Sequence, residues 1–413
     1  MIFKKWKQFC LCADEPLFPA GAAPCGAPFA PLVFLVKRDP AVSRGLFAIH
    51  SLAELYEKES VSCLRPCMAA VPADTPEGLD AFVRAHGASV LNVSFARAFS
   101  YLEHWYGAPK RGLRVNLVGL GDVGGTVLMG LKLLGAELSE IGIFDPNAAQ
   151  CARYEMELNQ VLPVCDGQAL PRVCMRQMDE LFDCDLLAFT ASRCVPGLGT
   201  DVRDVRMAQF AANRAMLTAY AKMARETHFM GLFCQISDPV DHLSRAVFLE
   251  SNRAADGSYD YDGLLPEQVQ GFGLGVMAAR ASYFAEKEKI DFSNGRVYGP
   301  HGEGLLAAND FGAGYDDALS VHLTELARTA NLRVRELGFK PYLAPGLSSA
   351  AISILRLVRG EAHNGAVPFD GAYFGCRSRM TRQGIELERE EICPALMRRI
   401  EQTHAALRRF DYE

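Results

Sequence analysis

The feature that most constrains this chain is a run of six residues, Gly119-Leu-Gly121-Asp-Val-Gly124. It follows the apolar run Val115-Asn-Leu-Val-Gly119 and opens a helical stretch that reaches Leu134. At such a strand-to-helix junction the first glycine permits a tight turn. The second lets backbone approach a pyrophosphate, and the third lets helix and strand pack closely. The helix start, with Asp122, Val123 and Gly124 in its first turn, offers free N–H groups and a positive dipole end to phosphates. The next apolar run, Ile141 to Phe144, ends in Asp145, placed where a carboxylate accepts both ribose hydroxyls. That charge repels a 2′-phosphate, so NAD is expected over NADP. The bland alternative, a helix-opening glycine turn with a solvated Asp145, does not use this context.

Two further apolar runs, Leu186 to Thr190 and Met230 to Ile236, alternate with helical segments. Strands alternating with helices predict an α/β fold, a doubly wound parallel sheet with helices on both faces. Residues 1–110 differ, being rich in Pro, Ala and Cys. Leu32 to Val36 and Gly45 to Ile49 read as strands there. Ser51 to Lys58, Thr75 to Ala85 and Phe99 to Tyr106 read as helices, and Gly107-Ala-Pro-Lys-Arg-Gly112 as a boundary. The expected organisation is a small α/β module over 1–111, a Rossmann-type nucleotide domain over 112–240, and an α+β substrate domain over 241–413.

Composition narrows the function classes. With 43 Lys+Arg against 49 Asp+Glu the net charge is −6, which leaves no electrostatic footprint for nucleic acid. No 18-residue apolar stretch marks a membrane span. Lys4, Lys5 and Lys7 are followed by Asp14 and Glu15 before any signal-like apolar run, so a cytoplasmic protein is expected. The 13 cysteines are an odd number in a long chain and read as reduced thiols. Neither Cys10-Leu-Cys12 nor the Cys63–Cys67 pair has zinc-ligand spacing, and no metal is expected.

From Arg114 onward the chain resembles the lactate/malate dehydrogenases, on five motifs in that family's order. The glycine turn with Asp145 comes first. Then come Asp185-Leu-Leu-Ala-Phe-Thr190-Ala-Ser, similar to the strand entering the mobile active-site loop, and Ile236-Ser-Asp238-Pro239-Val240-Asp241. Gly275-Val-Met277-Ala-Ala-Arg280 and Tyr298-Gly-Pro-His301-Gly302-Glu303 complete the set. The resemblance implies hydride exchange between NAD and a small 2-oxo or 2-hydroxy carboxylic acid, in a homodimer or homotetramer. It implies Thr190 beside the cofactor, His301 as acid/base and Arg280 as the carboxylate clamp. Imidazole suits the first role because it exchanges a proton near neutrality. A guanidinium fork suits the second because it matches a carboxylate bidentately. Without the other motifs, His301 would be an ordinary turn histidine and Arg280 a surface ion-pair partner.

The loop after Thr190 is expected to supply a further arginine that polarises the substrate carbonyl. Arg206 has the family's spacing to Asn213. The segment between Thr190 and Arg206 is about five residues longer than is usual for the family, so Arg193 and Arg203 compete, either as polariser or as reader of a second carboxylate. Cys194 falls near where malate enzymes place that second arginine, which leaves the 2-oxo acid open. Two positions depart from the family. Met277 stands where an aspartate orients the histidine; in other His–Asp systems losing that carboxylate costs about 10⁴ in rate. Asp238 replaces an asparagine and loses an amide donor. One reading is compensation, with the Asp238 carboxylate approaching His301 from another side. The other is an NAD-binding sensor or interaction protein with a disabled site.

Overall fold

The structure is a computed structural model. It describes residues 1–412 apart from Glu15, Lys110, Asp166, Gln168 and 194–201, with the backbone alone for 202–208.

The N-terminal stretch supplies strands β1 (Ile2–Trp6), β2 (Phe9–Ala13), β3 (Ala23–Pro24), β4 (Leu32–Val36), β5 (Leu46–Ile49) and β6 (Ala88–Asn92). Helices α1 (Leu52–Tyr56), α2 (Leu79–His86) and α3 (Ala98–Gly107) lie among and after them. The β2 strand is buried along its whole length. Cys10 and Cys12 join the apolar layer on one face, and Phe9, Leu11 and Ala13 the layer on the other, as the two-residue strand period requires. The start of α2 is later than the Thr75 expectation because Gly78, at φ +77°, breaks the chain just before Leu79.

The next block holds β7 (Leu113–Val118), α4 (Asp122–Leu134), β8 (Leu138–Phe144), α5 (Ala148–Leu158), β9 (Arg172–Met175) and β10 (Leu186–Phe189). It continues with α6 (Val202–Glu226), β11 (Leu232–Gln235), α7 (Val240–Ser251) and β12 (Val269–Gly271). These six strands are parallel and lie in the order β9-β8-β7-β10-β11-β12. This is the doubly wound arrangement, with its reversal of winding between β7 and β10. Strand β10 shows why the run Leu-Leu-Ala-Phe is apolar throughout. Leu186 and Ala188 face one layer and Leu187 and Phe189 the other, so neither face reaches water.

After α8 (Leu274–Glu288) come the hairpin β13 (Arg296–Tyr298) and β14 (Leu306–Ala308), and α9 (Asp317–Glu336). A π-type segment Pro345–Ala351 runs into α10 (Ile352–Val358). The meander β15 (His363–Phe369), β16 (Ala372–Thr381) and β17 (Gly384–Leu387) leads to α11 (Pro394–Arg408).

Among the described residues, all strands but the hairpin belong to one 15-stranded sheet. Its three blocks meet at narrow seams. Strand β12 joins β15 through the single pair Gly271/Ala366, and β17 joins β5 through Ile385/Phe47. Residues 1–107 therefore extend the sheet of the rest of the chain, and the apolar layers on both faces run through all blocks. Buried polar ties reinforce the join. Gly45 N donates to Glu267 Oε2 at 3.0 Å, and Arg245 Nη2 to the Ala41 carbonyl at 2.7 Å. Among the described residues no helix is long and apolar enough to cross a membrane.

Candidate active site

The glycine turn lies at the winding reversal, and its three glycines meet different surroundings. Gly119 has φ +93°, and a Cβ there would come within 2.7 Å of the Ala191 backbone nitrogen. The turn thus presses against the chain leaving β10. A Cβ at Gly124 would fall 2.0 Å from the Gly119 carbonyl oxygen and 2.6 Å from Thr190 Oγ1. At Gly121, by contrast, a Cβ would meet nothing within 4 Å. The backbone there faces open space, with no side chain capping the start of α4. The N–H groups of the first helical turn are thus left without a side-chain cap beside that open space.

The flanking carboxylates behave differently. Asp145 is half-buried and held from behind, accepting from Leu120 N at 2.8 Å and Asn147 N at 2.9 Å. Two backbone donors fix its orientation and leave lone pairs on both oxygens. Asp122 pairs with Lys340 at 2.9 Å, and Val123 is half-buried. Thr190 Oγ1 donates to the Gly119 carbonyl at 2.8 Å, so its hydroxyl locks the turn to the end of β10.

His301 occupies the turn between β13 and β14. Its Nδ1 lies 2.7 Å from the Gly273 carbonyl oxygen. A carbonyl only accepts, so Nδ1 carries the proton and Nε2 is the free nitrogen. That second nitrogen stands 4.0 Å from Asp238 Oδ1. The Gly273 carbonyl also accepts from Ser349 Oγ at 2.7 Å, which fixes the acceptor itself. A Cβ on Gly273 would fall 2.7 Å from His301 Cβ, so the ring lies against bare backbone. His301 N donates to Asp241 Oδ2 at 3.0 Å. Burial pushes the Asp241 carboxyl up to about 7, opposed in part by that N–H bond.

Arg280 lies two turns along α8 from Gly273. Its Nη1 makes a 3.3 Å contact with the Ala327 carbonyl and a 3.7 Å contact with Met277 Sδ. Burial lowers its pKa from the ordinary arginine value, and the nearby Asp238 carboxylate opposes that shift. Among the described residues it has no carboxylate within ion-pair distance. Met277 is buried in the apolar layer beneath α8. The structure thus brings His301, Asp238 and Arg280 to one place. Where the family resemblance expects a carboxylate at His301 Nδ1, it puts a backbone carbonyl.

Asn213 on α6 was only a spacing landmark in the sequence, yet it is fully buried and knits two loops together. Its Oδ1 accepts from Arg193 N at 2.9 Å, and its Nδ2 donates to the Asp238 carbonyl at 2.8 Å. Ser237 Oγ adds a bond to the Ala191 carbonyl at 2.6 Å. The side chain of Arg193 is exposed. Cys194 lies outside the described residues, and so do the side chains of Arg203 and Arg206.

No protein-family model matches the chain. A malate dehydrogenase from Sulfurimonas denitrificans is 25% identical over 284 residues, 64% of this chain and 81% of that protein. An L-lactate dehydrogenase from Treponema denticola is 30% identical over 200 residues, 47% of this chain and 56% of that protein. The chain is lactate/malate dehydrogenase-like. Solved structures agree on the fold. A minor L-lactate dehydrogenase from Enterococcus mundtii superposes with a TM-score of 0.58 at 18% identity, covering 72% of this chain and 97% of that one. A lactate dehydrogenase from a Medee basin deep-sea metagenome gives 0.57 at 18% identity, with the same coverage. The malate dehydrogenase from Picrophilus torridus gives 0.56 at 14%, covering 71% of this chain and 95% of that one.

Proposed function

We propose that this lactate/malate dehydrogenase-like chain is an NAD-dependent 2-hydroxy acid dehydrogenase. The observation that carries the reading is the meeting of His301 Nε2, Asp238 and an Arg280 free of ion pairs among the described residues. The residues of the glycine turn fit the cofactor. Gly121 leaves room for a pyrophosphate, the first turn of α4 offers donors, and the anchored Asp145 keeps lone pairs for ribose hydroxyls. When bound, NAD(H) supplies or accepts the hydride at its nicotinamide ring.

This chain's own residues do the rest. Arg280 grips the substrate carboxylate with the donors it does not spend on Ala327. As imidazolium, with Nδ1–H kept on the Gly273 carbonyl, His301 gives its Nε2 proton to the carbonyl oxygen of a 2-oxo acid during reduction; in the reverse direction the free Nε2 takes the proton from the hydroxyl. The Gly273 carbonyl holds the ring in the tautomer this requires, as an orienting carboxylate does elsewhere. A carbonyl brings only a partial negative charge. Asp238, 4.0 Å away, supplies the full charge that offsets imidazolium. Asn213 sets the height of Asp238 and of the loop start at Arg193 together. Exposed Met129, Leu133 and Leu134 on α4, with Leu347 and Ile352 around the π-type segment, support assembly as a homodimer or homotetramer.

Turnover of NADH with a panel of 2-oxo acids tests the proposal. At least one acid should be reduced, and His301→Ala should abolish the reaction while NADH still binds. The second reading, an NAD-binding protein without turnover, is favoured by the buried Met277 in place of a carboxylate. NADH binding with no acid consumed would establish it.

A further inference from the structure

Apart from the nucleotide cleft, a cavity of about 320 Å³ opens at the seam where β5 meets β17. That volume is at the lower end of the range for small-molecule sites, about 300–1,000 Å³. One wall comes from β5 and α1 of the N-terminal block. The opposite wall comes from the end of β16, from β17 and from the residues just after it. The seam is narrow, a single residue pair, and the cavity fills the space that a longer ladder would close.

The lining is charged and internally balanced. Among its arginines and glutamates, Arg44, Arg379 and Arg389 face Glu54, Glu386 and Glu388, three positive against three negative; His50, whose pKa the bond to Glu386 raises, lines it as well. All six take part in ion pairs, two of them within the wall itself, Arg389 with Glu54 at 3.6 Å and Arg379 with Glu386. Arg389 pairs with Glu57 at 2.6 Å, Glu388 with Arg377 at 3.0 Å, and Arg44 with Glu59 at 3.4 Å. Glu386 is shared by His50, at 3.2 Å, and Arg379. A ligand of net charge would unbalance this wall. A ligand carrying one positive and one negative group would not.

Two further features narrow its shape. Ser378 lines the cavity and is only 1% exposed, and its buried Oγ has no hydrogen-bond partner among the described residues. An unpartnered buried hydroxyl is destabilising, and a ligand polar group there would relieve it. Phe47, Ile49 and Leu387 give the same cavity an apolar side. We propose that this cavity binds a free α-amino acid as the zwitterion, its ammonium and carboxylate on the balanced charges and Ser378, its apolar side chain along Phe47, Ile49 and Leu387. Strand β16 also supports the His301 turn, since Gly299 N donates to the Gly375 carbonyl at 2.8 Å, three residues before Ser378. An amino acid bridging the N-terminal block to β16 would therefore rest on the element beneath the candidate acid/base.

Calorimetric titration of the full chain with L-valine, L-leucine and L-phenylalanine tests this, with glycerol and succinate as neutral and anionic controls. At least one amino acid should bind saturably. Ser378→Val should weaken it about tenfold, the equivalent of one lost hydrogen bond. Ala362→Trp, which fills the mouth from another wall, should abolish it, and His301→Ala should leave it unchanged. Failure of all three amino acids to bind the parent chain overturns the proposal. So does tighter binding of succinate or glycerol, or amino-acid binding indifferent to both cavity variants. None of these readouts involves turnover, so the result stands apart from the fate of the dehydrogenase reading.

Discussion

Replacing Arg280 by methionine separates a substrate clamp from a structural arginine, because the two roles predict opposite effects on stability. The guanidinium has five donors and spends one on a 3.3 Å contact with the Ala327 carbonyl. Its other close neighbour is the soft sulfur of Met277. A substrate carboxylate gripped bidentately would gain two charge-assisted hydrogen bonds, each about 1.5–3 kcal/mol. Their loss amounts to about 3–6 kcal/mol, or roughly 10²–10⁴ in kcat/KM. Met keeps the apolar stem and removes a partly desolvated cation that has no ion-pair partner among the described residues. The Tm of the free protein should therefore hold or rise. The assay is steady-state reduction of the best 2-oxo acid by NADH, with thermal unfolding and NADH titration run in parallel. Arg280→Lys should recover only part of the loss, since the ammonium lacks the fork. A fall in kcat/KM below about tenfold would refute the clamp. A large fall accompanied by a Tm drop of several degrees would assign Arg280 to the scaffold.

Other outcomes follow from the same geometry. Gly121→Ala should change unfolding free energy by less than about 1 kcal/mol, because its Cβ meets open space, yet cut NADH affinity at least tenfold. Gly124→Ala, whose Cβ would fall 2.0 Å from the Gly119 oxygen, should cost about 3 kcal/mol or more; both are read by urea unfolding beside NADH titration. Asn213→Ala should cost about 2–3 kcal/mol by orphaning Arg193 N and the Asp238 carbonyl. It should also lower kcat, and an unchanged kcat would deny that this residue sets the loops. Burial raises Asp241 from 3.8 and Glu267 from 4.5, both to about 7. The stability their protonated forms confer is complete below about pH 4 and is lost as pH rises through 7, with a slope of at most about 1.4 kcal/mol per unit for each group. Urea midpoints from pH 5 to 8 should show Asp241→Asn gaining on the parent as pH rises. A parallel pH dependence would contradict this.

The elements that sequence made legible are those whose side chains carry a period or a motif. The strand–glycine–helix junction and the apolar runs of β8, β10 and β11 are visible because each buries a patterned face. Strands β1 and β2 were not expected. The lysines of β1 read as a charged terminus, and the fully buried Phe-Cys-Leu-Cys-Ala run lacks the polar alternation of a half-exposed strand. Strand β6 was missed because Ala88, Ser89 and Asn92 are weak strand formers, held here by pairing on both sides. At the site, His301, Arg280 and Asp238 could be named in advance because motifs mark them. The group on His301 Nδ1 could not, because it is the carbonyl of Gly273, and backbone groups leave no residue signature. The buried roles of Asn213 and Ser349 are equally silent, being set by contacts between segments distant in sequence.

The most direct measurement is a crystal structure of the chain with NAD⁺ and oxamate. The account predicts the pyrophosphate over Gly121, the adenosine ribose on Asp145, the oxamate carboxylate on both arms of the Arg280 guanidinium and its far end against His301 Nε2. Oxamate bound away from Arg280, or His301 Nε2 turned from the ligand toward a protein group, would contradict it.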